Sequence, residues 1–270
     1  MDKISIPDSY LYKTGERVIP GSVLSDALTE HCARYFFAQQ YCKGKKVLNI
    51  SSGSGYGSVI LLQTAKEVFN ADISELSVAY GNKTYGAYNN HFLKTDAQNM
   101  DFPDNFFDVI VSFETFEHLP KATLFIKESH RVLKKGGILM ISTPNKVITS
   151  PNSDTPRNKF HFHEWTIESF LKLFKNKFKL VELYAQNKEH PLADNKTLNM
   201  FSPIIGAVMK NVPGAVYKFI KTRILQYPSL NILRLKIPQK HQLIKVTQKD
   251  FNLNGEGRSY AIMIGIFKKK

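Results

Sequence analysis

Apolar residues along this chain follow two alternating rhythms. Compact runs at 47–50, 67–73, 90–94, 107–113 and 138–142 read as buried strands, being short and rich in aliphatic, aromatic or β-branched residues. Stretches at 56–65, from 74 onward and at 121–133 repeat their apolar residues at helical spacing instead. The last of these helices is expected to close on KKGG, with Gly136 and Gly137 as C-terminal caps. A further helix is expected at 166–174, a sixth strand at 178–186 and a final strand at 259–267. Strands alternating with helices imply a parallel, doubly wound α/β sheet. A ligand then belongs at the carboxyl ends of the strands.

The flanks are organised differently. Ahead of the first strand, 26–41 carries a helical stripe of Leu28, Cys32, Tyr35, Phe36 and Ala38. Residues 1–44 are therefore expected to form an arm and a cap helix, and 45–187 with 258–270 the core. Residues 188–257 are an insertion between the last two strands of what remains a single domain. Inside it, 214–225 sets Val216, Phe219, Ile220 and Ile224 against Lys218 and Lys221, a short basic amphipathic helix. Such a helix suits a membrane interface, or simply packs on its own domain.

Charge sharpens that division. The chain of 270 residues has a net charge of +14, and residues 188–270 hold 15 Lys/Arg against 4 Asp/Glu. An anionic partner for that part is implied, whether a membrane surface, a phosphorylated carrier or, less favoured, nucleic acid; a solvated basic face is the plainer reading. With 43% hydrophobic residues the chain can bury a substantial core. The start has no apolar signal segment, and no run approaches the length of a membrane span. The expected location is the cytoplasm, with peripheral contact at the inner membrane left open. Cys32 and Cys42 read as ordinary reduced thiols.

The chemistry gathers around VLNISSGSGYGS at 47–58. Gly53, Gly55 and Gly57 remove Cβ atoms that would hold a ligand off the backbone. The helix that follows points its N-terminus, with free N–H groups, at the same spot. Asp72, followed by Ile73, ends the second strand and can accept both hydroxyls of a ribose. Asp96, with Ala97 after it, follows the third strand and is placed to receive an adenine amino group. The spacing GSGYG differs from the GxGxxG that admits a pyrophosphate.

Together these features resemble the class I S-adenosylmethionine-dependent methyltransferases, over about residues 45–186 plus the last strand. The resemblance implies a Rossmann-like seven-stranded sheet whose last strand is antiparallel. It implies that Gly53, Gly55 and Gly57 lie under the methionine part of the cofactor. Asp72 and Ile73 would then meet the ribose side, and Asp96 and Ala97 the adenine. Ser112, Phe113 and Glu114 would border the methionine moiety and the substrate. Asn49 stands where the family has an acidic residue, keeping hydrogen bonds to the cofactor but no charge, and Ser51 where its first glycine is usual. TGERVIP, EHCARYFFA, SFETFEHL and STPN look like methyltransferases encoded with bacterial surface-polysaccharide biosynthesis. That likeness implies O-methylation of a sugar or glycan hydroxyl, on a nucleotide- or lipid-linked acceptor. Methylation of an RNA 2′-hydroxyl or another small molecule, and a silent cofactor-binding scaffold, are the rival readings.

A sugar hydroxyl is a poor nucleophile, so a base or a metal should assist it. Glu114, Glu117 and His118 follow the fourth strand, and His161 and His163 follow the fifth, facing the same cleft. The order Glu-x-x-Glu-His with a later His resembles small-RNA 3′-terminal 2′-O-methyltransferases. That resemblance implies a divalent ion, Mn²⁺ or Mg²⁺, on Glu114, Glu117, His118 and His161. Three roles stay open to the cluster: a metal site, a metal-free base at His118 or a neighbouring histidine, or mere lining of the cofactor pocket.

Overall fold

The computed structural model describes residues 26–186, 243–245 and 261–270. The expected arm and the 214–225 helix lie outside the described residues. In chain order the elements are α1 (Asp26–Cys42), β1 (Lys46–Ile50), α2 (Tyr56–Leu61), β2 (Glu67–Asp72), α3 (Glu75–Tyr85) and β3 (Asn90–Lys94). There follow β4 (Phe107–Phe113), a 3₁₀ turn (Phe116–His118), α4 (Ala122–Val132), β5 (Leu133–Pro144) and α5 (Lys146–Thr149). The chain closes with α6 (Ile167–Phe174), β6 (Phe178–Gln186), β7 (Ile244–Lys245) and β8 (Ile262–Lys269).

One sheet takes the order β3-β2-β1-β4-β5-β8-β6-β7. Strands β1 to β5 pair in parallel, and β8 slots between β5 and β6, antiparallel to both. This is the expected α/β Rossmann-like sheet with an antiparallel last strand. The eighth member, β7, is two residues long and pairs antiparallel with β6 from within the expected insertion. Lys245, Tyr41 and Tyr184 all donate to the Glu182 carboxylate there, holding it down at about 2.

Both faces of the sheet are covered. Val109 and Val111 point to the face under α1 and α2, whereas Ile110 between them joins Phe116, Phe125, Phe170 and Phe174 on the face under α4 and α6. On α1 the buried Arg34 donates from Nη1 to Gln186 Oε1 at 2.5 Å, and Gln186 returns a bond to Glu30 O at 3.2 Å. The cap helix is thus tied to the last residue of β6. Cys32 and Cys42 are both free and buried, and burial pushes their thiols up to about 12, as inert packing groups.

Two expectations about helix ends are corrected. Helix α2 stops at Leu61 because Gln63 and Thr64 bond back three residues, to Ile60 and Leu61, and tighten the chain into a turn. Gly136 and Gly137 do not cap α4. The chain extends directly from Leu133, and KKGG bulges within β5, where pairing with β4 slips between Phe107 and Val109. Gly136 takes the left-handed φ of +75° that this bulge requires.

Candidate active site

A cavity of about 480 Å³ opens at the carboxyl ends of β1, β2 and β4, within the usual size of small-molecule sites. The turn after β1 contributes Ser51, Ser52, Gly53 and Ser54, and Asp72 at the end of β2 is followed by Ile73. Thr95, Asp96, Ala97 and Gln98 follow β3, while Phe113, Glu114, Thr115 and His118 follow β4. Helix α1 reaches in with His31 and Tyr35, and Leu119, Pro120 and Phe162 form an apolar rim at the far side.

The turn after β1 is sharply bent. Ser51, Gly53 and Gly55 have φ of +56°, +57° and +86°, three left-handed residues in five. A left-handed serine costs about 1 kcal/mol, so the unusual letter at position 51 carries strain. The Asp72 carboxylate braces the bend, since Gly53 N–H donates to Oδ2 and Ser74 N–H to Oδ1, each at 2.9 Å.

The three glycines do different jobs, which corrects the view that all leave room for a ligand. Only Gly53 opens on the cavity, with nothing within 4 Å of where a Cβ would stand. A Cβ on Gly55 would meet the Phe92 ring at 2.4 Å, and one on Gly57 the Tyr35 ring at 2.2 Å. Gly57 therefore admits α1, not the ligand. Gly57→Ala should lower stability by about 1–3 kcal/mol through overpacking, read as a fall in melting temperature. An unchanged value would mean that α1 is not seated on this turn.

Asn49 and Ser112 are also displaced from their expected roles. Both are fully buried and neither lines the cavity. Asn49 accepts from Tyr35 Oη and donates to Asn70 Oδ1, while Ser112 Oγ finds no partner among the described residues. Their strands turn these side chains inward, a step below the rim. Phe113 stays on the cavity wall, edge-on to Tyr35 with ring centres 5.2 Å apart. Ile73 is 66% exposed there, an apolar side chain left uncovered at the cavity edge.

The opposite end holds the acidic and imidazole groups. Glu114 has a left-handed φ of +51°, held by its N–H bond to Ser142 O and by Ser142 Oγ donating to Glu114 Oε1 at 2.6 Å. Such strain, about 1–3 kcal/mol, concentrates at functional sites. Glu117 is buried and accepts from Thr143 Oγ1 at 2.9 Å. Burial first, then the nearby Glu114 charge, pushes its carboxyl well above the usual carboxylate range. His118 lines the cavity, with Nδ1 3.0 Å from Phe160 O and Nε2 4.0 Å from Glu117 Oε1.

His161 stands edge-on to His118, ring centres 4.9 Å apart. Its Nδ1 meets Glu164 Oε1 at 2.7 Å and its Nε2 meets Asn158 Nδ2 at 2.9 Å. One ligand-type atom from each of Glu117, His118 and His161 lies within 4.8 Å of the others. Glu114 is not part of this group, its Oε1 accepting from Ser142 Oγ instead, so the expected four-residue set reduces to three. Of the expected acid–base residues only Glu114 and His118 line the cavity; Glu117 and His161 stand behind His118, and His163 Nε2 faces Pro120 O at 3.4 Å with its ring packed on Trp165.

His31, Tyr35, Thr95, Gln98 and Phe162 line the cavity without having been singled out for it. The helical stripe that marked Tyr35 as core was the available signal, since that residue is both core and cavity wall.

The comparisons agree with this geometry. Residues 48–141 match the family model described as a methyltransferase domain. The chain is 35% identical over 157 residues to a protein of Mycolicibacterium smegmatis named a probable S-adenosylmethionine-dependent methyltransferase, a match covering 58% of this chain and 60% of that protein. The chain thus spans about three fifths of the length of that curated relative. In fold it is similar to an S-adenosylmethionine-dependent methyltransferase of Thermotoga maritima, with a TM-score of 0.54, 18% identity and coverage of 90% and 92%. The [4+2]-cyclase SpnF is as similar, with a TM-score of 0.54, 14% identity and coverage of 93% and 85%. Residues 48–141 are thus similar to a methyltransferase domain, and the sheet around them has the fold of these neighbours. That a cyclase shares the fold means the reaction must be argued from the site.

Proposed function

We propose that the protein is an S-adenosylmethionine-dependent O-methyltransferase acting on a sugar hydroxyl. The observation that carries the reading is His118. A carbonyl only accepts, so the bond to Phe160 O places a proton on Nδ1, and in the neutral imidazole the basic nitrogen is then Nε2, on a residue that lines the cavity. That is the tautomer a general base needs.

The residues fit the cofactor. Gly53 leaves open backbone beside Asp72, and Asp72, Asp96 and Glu114 set three carboxylates around one cavity. Asp72 would take the ribose hydroxyls, Ile73 would flank the adenosine, and Asp96 with Ala97 would meet the adenine edge. The turn around Gly53, with Glu114 and Phe113, would hold the methionine end. When bound, the cofactor supplies a methyl group on a sulfonium centre. His118 would take the acceptor's hydroxyl proton, and the rim of Leu119, Pro120 and Phe162 would hold the acceptor in line and keep water out. Calorimetry with S-adenosylmethionine, followed by transfer of labelled methyl to a panel of sugars, phenols and hydroxylated lipids, tests this. Absence of cofactor binding sinks the reading, and transfer only to the non-sugars replaces the acceptor.

The Glu117, His118 and His161 cluster favours a second version, in which a divalent ion assists the hydroxyl. Glu117 is braced from behind by Thr143 and His118 by Phe160 O, and His161 by Glu164 at Nδ1, so an ion would take His161 Nε2 from the Asn158 amide. One carboxylate and two imidazoles suit Mn²⁺, Fe²⁺ or Zn²⁺ better than Mg²⁺. In this version Glu117→Gln and exhaustive chelation each lower activity at least tenfold, and Mn²⁺ restores only the chelated wild type. Activity indifferent to chelation and to His161→Ala rules the ion out.

A further inference from the structure

A polar thread crosses the apolar sheet beneath the glycine turn. Asn49, Asn70 and Asn90 stand on β1, β2 and β3, at 0%, 0% and 1% exposure. Tyr35 Oη donates to Asn49 Oδ1 at 3.2 Å, Asn49 Nδ2 to Asn70 Oδ1 at 3.0 Å, and Asn70 Nδ2 to Asn90 Oδ1 at 2.7 Å. Asn90 Nδ2 donates to Ser58 Oγ at 3.0 Å, and Ser58 Oγ to Gly55 O at 2.7 Å. Every bond runs the same way, from the cap helix to the glycine turn. Side bonds fix that direction: Asn70 Nδ2 also reaches His91 O, and Asn90 Nδ2 also reaches Tyr85 O. Flipping either amide would set oxygen against oxygen.

We infer that this five-residue chain is a positioning device: it sets the shape of the cofactor-facing turn around Gly53 and Gly55 from the α1 residue Tyr35. Tyr35 lines the cavity, and Gly55 is the left-handed residue that starts α2, two positions after the cavity-lining Gly53. Buried hydrogen bonds aligned head to tail polarise and strengthen one another, so a break at one end is felt at the other. The chain also gives a reason for the amide at position 49. A carboxylate there would accept from Tyr35 but offer Asn70 no donor. Asn70 would have to flip and forfeit His91 O, Asn90 would follow and forfeit Tyr85 O, and the Ser58 hydroxyl would be drawn off Gly55 O. An acidic residue at 49 and this ladder exclude each other.

The inference rests on the cavity being the S-adenosylmethionine site, so its test has one arm that needs no cofactor. Hydrogen exchange of the amides at 53–58 is followed in the free protein for the wild type, Tyr35→Phe, Asn49→Asp and Ser58→Ala. Tyr35→Phe keeps the ring and removes only the hydroxyl, yet should speed exchange at the turn. Calorimetry should show S-adenosylmethionine affinity down three- to tenfold for Tyr35→Phe and for Ser58→Ala, the size of one hydrogen bond, and further for Asn49→Asp. Ser58→Ala should raise the cofactor KM while kcat at saturation holds. The double variant Tyr35→Phe/Ser58→Ala should be no worse than the weaker single variant, because both cut one chain. Additive losses, or a lower melting temperature with exchange at 53–58 unchanged, overturn the inference. A wild type that binds no S-adenosylmethionine fells the cofactor reading, while the exchange arm still decides the chain.

Discussion

Replacing Asp72 by alanine is expected to abolish measurable binding of S-adenosylmethionine. The side chain ends β2 with 7% exposure and borders the cavity while both its oxygens accept backbone N–H groups. One of those belongs to Gly53, so the carboxylate that would take the ribose also holds the turn that would take the methionine. Hydrogen bonds to a charged group are worth about 1.5–3 kcal/mol each, and alanine removes two of them before any bond to the ligand is counted. Losing two bonds to the ribose hydroxyls at the lower value would alone amount to a hundredfold or more in affinity, and the unbraced turn adds to it. Calorimetry on the folded variant checks this, with circular dichroism to show that the sheet survives. Asp72→Asn separates the two duties: it keeps one acceptor oxygen but turns an amide toward a backbone donor, so it too should bind poorly. Affinity within threefold of wild type for Asp72→Ala would move the cofactor away from this cavity.

Much of this site was legible because its determinants are local. The strand, the glycine turn and the acidic residue at the next strand's end lie in sequence order, and the parallel sheet brings their carboxyl ends together. The alternation of apolar runs and helical stripes gave the layers for the same reason. What escaped were features decided across the fold. Gly55 and Gly57 read as ligand clearance, but the atoms that need their space are Phe92 and Tyr35, from β3 and α1. Asn49 read as a cofactor contact, because nothing near it in sequence announces Asn70 and Asn90 as its buried neighbours.

The histidines divide in the same way. His161 and His163 are two residues apart and both read as base candidates, with His161 alone in the expected metal set, and it is His161 that reaches His118 and Glu164, while His163 turns to Trp165. Gly136 and Gly137 carried the chemistry of a helix cap, and a long-range pairing between β4 and β5 claimed them for a bulge. Ser51 is the reverse case. Its departure from glycine was visible in sequence, and the structure shows its cost as a left-handed backbone.

His118→Ala is expected to lower kcat by about 10²–10⁴-fold, the usual worth of a positioned general base, with cofactor affinity nearly unchanged. The cofactor contacts proposed above lie on the turn after β1, at the ends of β2 and β3, and at Phe113 and Glu114 where β4 ends, whereas His118 sits further on, in the 3₁₀ turn beside the rim. Removing the imidazole should therefore touch the acceptor's proton and leave the donor seated. His163→Ala is the matched control: its ring packs on Trp165, whereas His161 packs on His118, so it should keep near wild-type turnover. Asn at position 118 discriminates further, because its side-chain amide can still donate toward Phe160 O but offers no basic nitrogen. If His118→Asn retains wild-type kcat, the histidine orients the loop at 158–164 and the proton leaves by another route. If kcat falls with His118→Asn as far as with alanine, while calorimetry shows full cofactor binding in both, the base assignment holds. Loss of cofactor binding in both variants would instead make His118 part of the donor pocket.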